Sequence, residues 1–247
     1  MTRAKGTLPD ADTISPDEKK ELVYDVFQNI SDTYDKANDV ISFGMHRLWK
    51  GAMIKDIVSH QPHDILDVAS GTGDIALWIA EKNPQAHIVG SDLSENMLAV
   101  AEKRRQELGL KNVSFSCQNA MQLSFEDNSF DCVVVSFGLR NMPNYRQVVS
   151  EMIRVLRPGG HFYCIDSSWP TNPIIKPFFG LYFSHIMPFL GNLVAKAPEE
   201  YRWLNESTKA FLTKDALAAM MKECGLKDVA YKSHMFGGAA THHGVKA

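Results

Sequence analysis

From Asp64 onward the chain predicts an α/β fold, a mostly parallel seven-stranded sheet with helices on both faces, and two observations carry that prediction. Short apolar runs alternate with longer amphipathic ones, the strand–helix beat that joins parallel strands by right-handed crossovers. The first apolar run feeds Asp67-Val68-Ala69-Ser70-Gly71-Thr72-Gly73-Asp74, a glycine loop of the kind that lets backbone approach a ligand closely. With 247 residues, 45% hydrophobic and 22% charged, the chain has material for such a core, and disordered, collagenous and disulfide-scaffold classes are excluded.

Each element has a local reason. Ser15-Pro16-Asp17-Glu18 offers an N-cap, a first-turn proline and a glutamate that reaches back, so a helix is expected near Pro16, after a loose tail over 1–15. Strands are expected at Ile65–Ala69, His87–Ser91, Val113–Ser116, Asp131–Val135 and His161–Ile165. Helices are expected between them at Asp74–Glu81, Ser94–Leu108 and Tyr145–Leu156. A helix at Lys214–Glu223 closes at Gly225, and strands near Asp228–Lys232 and Ala239–Val245 complete the sheet. Trp169–Phe211 fits neither pattern and reads as a helical insert over the ligand crevice, within one domain spanning 16–247.

Charge and cysteine usage narrow the function. Twenty-six basic against 29 acidic residues give a formal charge of -3, without the basic excess of a nucleic-acid binder. Cys117, Cys132, Cys164 and Cys224 are isolated, with no Cys-x-x-Cys pair; buried reduced thiols are expected, and no metal site. The first fifteen residues hold charges and a proline rather than a signal-like apolar core, which predicts a cytoplasmic protein. The stretch Pro173–Ala195 is broken by Lys176, His185, prolines and glycines, and reads as interrupted amphipathic helices rather than a membrane span.

The loop residues choose between ligands. Gly71, Gly73 and Ala76 make a Gly-x-Gly-x-x-Ala spacing that dinucleotide and S-adenosylmethionine sites share. A pyrophosphate wants the bare positive end of the helix, whereas Asp67 and Asp74 flank this loop and repel phosphate. A cationic ligand, S-adenosylmethionine with its sulfonium and ammonium, fits better, although Asp74 also reads as ordinary helix-end charge compensation. Asp92 ends the second strand, where ribose hydroxyls are presented. Asn119-Ala120 past the third strand and Ser136 at the end of the fourth read singly as loop residues and jointly as the wall of a nucleoside site.

These residues carry a resemblance. Tyr34-Asp35-Lys36-Ala37-Asn38-Asp39-Val40-Ile41-Ser42-Phe43-Gly44-Met45-His46-Arg47-Leu48-Trp49 resembles the N-terminal signature of the C-methyltransferases of ubiquinone and menaquinone biosynthesis. Ser136-Phe137-Gly138-Leu139-Arg140-Asn141 resembles that family's fourth-strand motif, and Arg154-Val155-Leu156-Arg157-Pro158-Gly159-Gly160 and Tyr201-Arg202-Trp203-Leu204-Asn205-Glu206-Ser207 are similar to two later ones. The resemblance implies a Rossmann-like methyltransferase with cofactor contacts at Thr72, Asp92, Asn119, Ala120 and Ser136. Ala37, Ser70 and Asp166 depart from the family's usual Met, Gly and Glu, and Asp166 does so at a strand end where substrate is expected.

Methylation of a quinol ring carbon needs donor and acceptor aligned, and a group that favours the phenolate. Arg140 is the leading candidate to stabilise that charge or align a water; the structural alternative is an ion pair with Asp92 or Asp166. Asn141 would orient the ring oxygen. Tyr34, His46, Asp166 and Tyr201 are secondary candidates; His46 is singled out because an ordinary imidazole titrates in the useful range, against the alternative that it is packed structure.

The insert Ile174–Leu193 is rich in Phe178, Phe179, Tyr182, Phe183, Ile186, Phe189 and Leu190, and either packs as core or meets a polyprenyl tail or a bilayer surface. The expected partners are a prenylated quinol, a membrane surface touched peripherally, and a second copy of the chain or a quinone-synthesis complex. A nucleic-acid methyltransferase is disfavoured: Asn141-Met142-Pro143-Asn144 is not the Pro-Pro aromatic motif of amino-group methylation, and no Pro-Cys pair is present. Two alternatives stand beside the quinol reading: a methyltransferase of the same fold acting on another aromatic or lipid acceptor, and a non-catalytic scaffold that keeps the donor site.

Overall fold

The computed structural model describes residues 39, 42, 44–182 and 198–247. Its sheet is built from β1 (Asp64–Val68), β2 (His87–Asp92), β3 (Val113–Cys117), β4 (Phe130–Ser136), β5 (Leu156–Ser167), β6 (Leu226–His234) and β7 (Ala239–Lys246). The helices described are α1 (Met45–Ser59), α2 (Asp74–Lys82), α3 (Glu95–Glu107), α4 (Tyr145–Val155), α5 (Ile175–Leu181), α6 (Pro198–Ala210) and α7 (Lys214–Glu223), with a 3-10 turn at Leu139–Asn141. The helix expected near Pro16, and the candidate Tyr34, lie outside the described residues.

The strand order is β3-β2-β1-β4-β5-β7-β6, with β7 antiparallel to both neighbours and the other adjacent pairs parallel. Order reverses between β1 and β4, and such a switch point opens a crevice at the strands' carboxyl ends. The central strands are apolar on both faces because both are covered. Leu66, Val68, Val133, Val135 and Phe162 pack toward α4 and α7, while Ile65, Ile88, Val134, Tyr163 and Ile165 pack toward α1 and α2.

Capping fixes where the helices begin. The Ser94, Asn144 and Thr213 side chains accept hydrogen bonds from the backbone N–H of Met97, Gln147 and Ala216, each satisfying a first-turn donor. Strand β5 starts earlier than expected: the chain turns extended at Leu156, and Arg157–Gly160 continue the strand instead of forming a loop. A register shift between Phe130 and Cys132 absorbs the irregular stretch, where Pro158 has no N–H to give and Gly159 has φ +77°.

In the insert, Phe179 is buried, with its ring edge-on to Trp169, whereas Phe178 is 72% and Ile174 73% exposed. Phe183, Ile186, Phe189 and Leu190 lie outside the described residues. Helix α6 runs beside the 139–141 turn, and Thr208 exchanges a 3.0 Å hydrogen bond with Ser167 at the end of β5. No described helix is long and apolar enough to cross a membrane. The cysteine expectation is corrected in part: all four thiols are free and Cys132 and Cys164 are buried, but Cys117 is exposed on the outermost strand and Cys224 half-buried.

Candidate active site

A cavity opens where β1, β2, β3 and β4 end. Asp67, Gly71, Thr72, Asp92, Asn119, Ala120, Ser136 and Asn141 line it, together with Lys50, Ser70, Asp74 and Met97. Seven of the expected cofactor residues are thus brought to one wall. Gly73 is the exception and works from behind: it has φ +81° at the start of α2, and a Cβ there would stand 2.8 Å from the Phe115 ring.

Asp92 organises the loop. Its Oδ2 accepts the Gly71 N–H at 2.8 Å and its Oδ1 the Ser94 N–H at 2.9 Å. Burial raises its carboxyl above the ordinary range and these N–H groups oppose the rise. Asp67 is more extreme: burial pushes it up to about 8, against a 3.1 Å bond from the Ala76 N–H. Its Oδ1 has no hydrogen-bond partner among the described residues, and neither have Ser70 Oγ and Ser136 Oγ, also on residues of this wall. Buried polar atoms are ordinarily satisfied, so three such atoms on residues that line one cavity fit a polar ligand there.

Asp74 differs from its expected role. Lys50 Nζ binds its Oδ2 at 2.8 Å and Arg104 Nη2 approaches its Oδ1 at 3.5 Å. Burial alone would raise the Asp74 carboxyl, but these cations hold it below its ordinary value. Its charge is compensated, and the acidity open to a ligand rests on Asp67 and Asp92. Lys50, on α1, is a charged wall residue with no signal in the sequence; its side chain is 8% exposed and its ammonium lies 5.8 Å from the Phe137 ring centre.

The acceptor-side candidates separate. Arg140 does not line the cavity: its Nη1 binds Asp166 Oδ1 at 2.7 Å and also the Phe137 carbonyl, and its backbone N–H binds Asp166 Oδ2 at 3.0 Å. Asp166 likewise lies off the cavity wall, occupied by Arg140 and by the Ser167 N–H at 2.8 Å, so its shortened carboxylate serves an internal pair. His46 is also off the wall, with Nδ1 2.6 Å from Ser42 Oγ. Burial first, and the Lys50 charge second, push it down to about 4, which corrects the expectation that it titrates near neutrality. Asn141 remains on the wall, its Oδ1 fixed by the Trp203 indole N–H at 3.1 Å. The side chain of Tyr201 lies outside the described residues.

Comparison with known proteins agrees with this architecture. The ubiE/COQ5 methyltransferase family model matches residues 14–246. The chain belongs to that family. A demethylmenaquinone methyltransferase of Listeria monocytogenes is 46% identical over 229 residues, covering 92% of this chain and 97% of that protein. One from Halalkalibacterium halodurans is 43% identical over 92% of this chain and 94% of its own length. Among solved structures, a SAM-dependent methyltransferase from Aquifex aeolicus aligns with TM-score 0.57 at 14% identity, over 95% of this chain and all of that one. Phosphoethanolamine N-methyltransferase 2 of Haemonchus contortus, solved with S-adenosyl-L-methionine, gives TM-score 0.57 at 17% identity, over 74% of this chain and 48% of that one. Family membership makes the chain a methyltransferase, and the structural likenesses agree with its Rossmann-like fold.

Proposed function

We propose that this chain transfers a methyl group from S-adenosylmethionine to a ring carbon of a prenylated quinol, with demethylmenaquinol the first acceptor to test and 2-methoxy-6-polyprenyl-1,4-benzoquinol the second. The observation that carries the reading is the set of orphaned polar atoms on Asp67, Ser70 and Ser136 at the sheet's switch point, in a chain 46% identical to named demethylmenaquinone methyltransferases.

S-adenosylmethionine supplies a methyl group made electrophilic by its sulfonium. The protein's part is to bind, orient and exclude water. Asp92 has lone pairs left for ribose hydroxyls after taking two backbone N–H groups. Asp67 Oδ1 suits the ligand's ammonium, and Lys50 its carboxylate. Asn119 Oδ1 accepts from the Met121 N–H at 3.0 Å, so reading an adenine edge falls to its NH₂ and to the Ala120 backbone. On the acceptor side, the Trp203 N–H turns the Asn141 NH₂ away from the indole, oriented to bind a ring oxygen as phenolate charge develops. Arg140 acts at one remove, as a positioning residue that ties the 139–141 turn to Asp166. Tyr34 remains a candidate for the acceptor side.

Ile174, Phe178 and Leu181 recur at helical spacing and are 73%, 72% and 56% exposed, which supports contact with a prenyl tail or bilayer surface. The test is a panel of demethylmenaquinol, the benzoquinol and a tail-less analogue of each, offered with the donor and read by mass. A singly methylated naphthoquinol supports the reading, and slower turnover of the tail-less form supports the apolar contact. Donor binding without product on any quinol sends the assignment to another aromatic or lipid acceptor.

A further inference from the structure

Three histidines from distant parts of the chain meet at the other end of the sheet. His60 caps the carboxyl end of α1, His161 lies on the early part of β5, and His243 on β7. The register pairs Tyr163 with His243 and His161 with Val245, so His161 and His243 are diagonal neighbours on one sheet face. His161 Nδ1 and His243 Nε2 are 2.9 Å apart, the His60 ring stacks on His161 with centroids 3.8 Å apart, and one ring nitrogen from each of the three lies within 4.8 Å of the others. None of the three lines the methyl-transfer cavity, which opens at the opposite strand ends.

We propose that His60, His161 and His243 form a binding site for one borderline divalent transition-metal ion of the Zn²⁺ or Ni²⁺ kind, joining α1 to β5 and β7. The donor set chooses the class: imidazole nitrogens suit Zn²⁺, Ni²⁺ and Cu²⁺, whereas Mg²⁺ and Ca²⁺ want oxygen. The spacing suits it too. Two nitrogens bound tetrahedrally at about 2.0–2.1 Å from zinc stand about 3.3 Å apart, so the His161–His243 pair opens by a few tenths of an ångström. His60 is exposed, and one of its ring nitrogens already lies within 4.8 Å of one on each of the other two.

The surroundings favour a cation. Among the described residues, the charged groups that act on His161 and His243, apart from the histidines themselves, are the carboxylates Asp56 and Asp228. Asp56 accepts the Tyr163 hydroxyl at 2.7 Å, and the Tyr163 ring lies 4.6 Å from that of His243. Burial and mutual repulsion hold His161 and His243 below the ordinary imidazole range, which favours the neutral form, and a metal would displace the proton shared between His161 Nδ1 and His243 Nε2. Three protein ligands at a solvent-accessible site leave a position for water, the arrangement of an open rather than a closed zinc centre.

The test is calorimetric titration of the full chain, freed of metal with a chelator, with Zn²⁺ near neutral pH and Mg²⁺ in parallel. One equivalent of Zn²⁺ and no Mg²⁺ is expected. His60→Gln, at an exposed position where folding is not at stake, and His243→Gln should each weaken Zn²⁺ by more than the roughly tenfold that loss of an outer-shell partner brings. Binding should weaken as pH falls, because protons compete with the metal for the imidazole nitrogens. Both variants should bind S-adenosylmethionine like the parent, which separates loss of the metal site from loss of the fold and from failure of the methyl-transfer reading. No Zn²⁺ binding by the parent, or one equivalent kept at full affinity by both variants, overturns the proposal.

Discussion

The Arg140 guanidinium and the Asp166 carboxylate meet at 2.7 Å with their side chains 7% and 1% exposed, an ion pair enclosed beneath the turn that carries Asn141. The same carboxylate takes the Arg140 backbone N–H, so side chain and main chain of one residue are fastened to one partner. Removing either member leaves a buried charge without its counterion.

Asp166→Asn should therefore cost about 3 kcal/mol, the usual size for breaking a buried pair from one side. Urea unfolding measures it. A change within about 0.5 kcal/mol, the range of ordinary surface substitutions, would show that the pair is solvated and free to reach substrate.

Asp67 should make donor binding proton-linked. Its folded-state value, about 8, lies above its unfolded value, so its contribution to stability is full below about pH 4 and is lost as pH rises through about 8. A cation beside it favours the carboxylate, so S-adenosylmethionine binding near pH 7 should release close to one proton. Calorimetry in buffers of different ionisation enthalpy reads that number. Asp67→Asn should abolish the release and flatten the pH dependence of stability between pH 5 and 8; release unchanged in the variant would place the proton elsewhere.

His46 works in the opposite sense. Its folded value, about 4, lies below its unfolded value, so its contribution is full above about 6.5 and falls as pH drops toward 4. His46→Gln should flatten the stability profile in that window and leave the pH–rate profile between about 6 and 8 unmoved. A limb near pH 6.5 that vanishes in the variant would make His46 a base after all.

Two loop glycines should fail differently. Gly73→Ala forces a Cβ to 2.8 Å from Phe115 and 3.0 Å from Ala101 at φ +81°, and should cost about 1–3 kcal/mol of stability. Gly71, which lines the cavity, has φ +55° and nothing among the described residues within 4 Å of a built Cβ, so Gly71→Ala meets no neighbour in the fold and should weaken donor binding more than it destabilises the fold. Equal effects of the two on donor affinity and melting temperature would contradict this division.

The parts of this molecule legible in its sequence are those set by local pattern. The strand, glycine loop and helix around Asp67–Asp74, and Asp92 at the next strand end, follow from apolar periodicity and from the way parallel strands align their carboxyl ends. Lys50 was not legible: it precedes the first strand on a helix whose face shows only when α1 packs beside α2 and brings its ammonium to Asp74. For Arg140 the sequence does not separate substrate contact from an ion pair, because both are long-range, and burial against Asp166 is what separates them. His60, His161 and His243 carry no spacing signal, since their meeting depends on β7 running antiparallel beside β5.

The most direct measurement offers the purified chain S-adenosylmethionine with a deuterated methyl group and demethylmenaquinol, and locates the label in the product by mass fragmentation. One labelled methyl is expected on a ring carbon, at a rate that collapses in Asp92→Ala, where the proposed ribose contact and the Gly71 N–H bond are both lost. Label on a quinol oxygen, or donor bound with no labelled quinol at all, would contradict it.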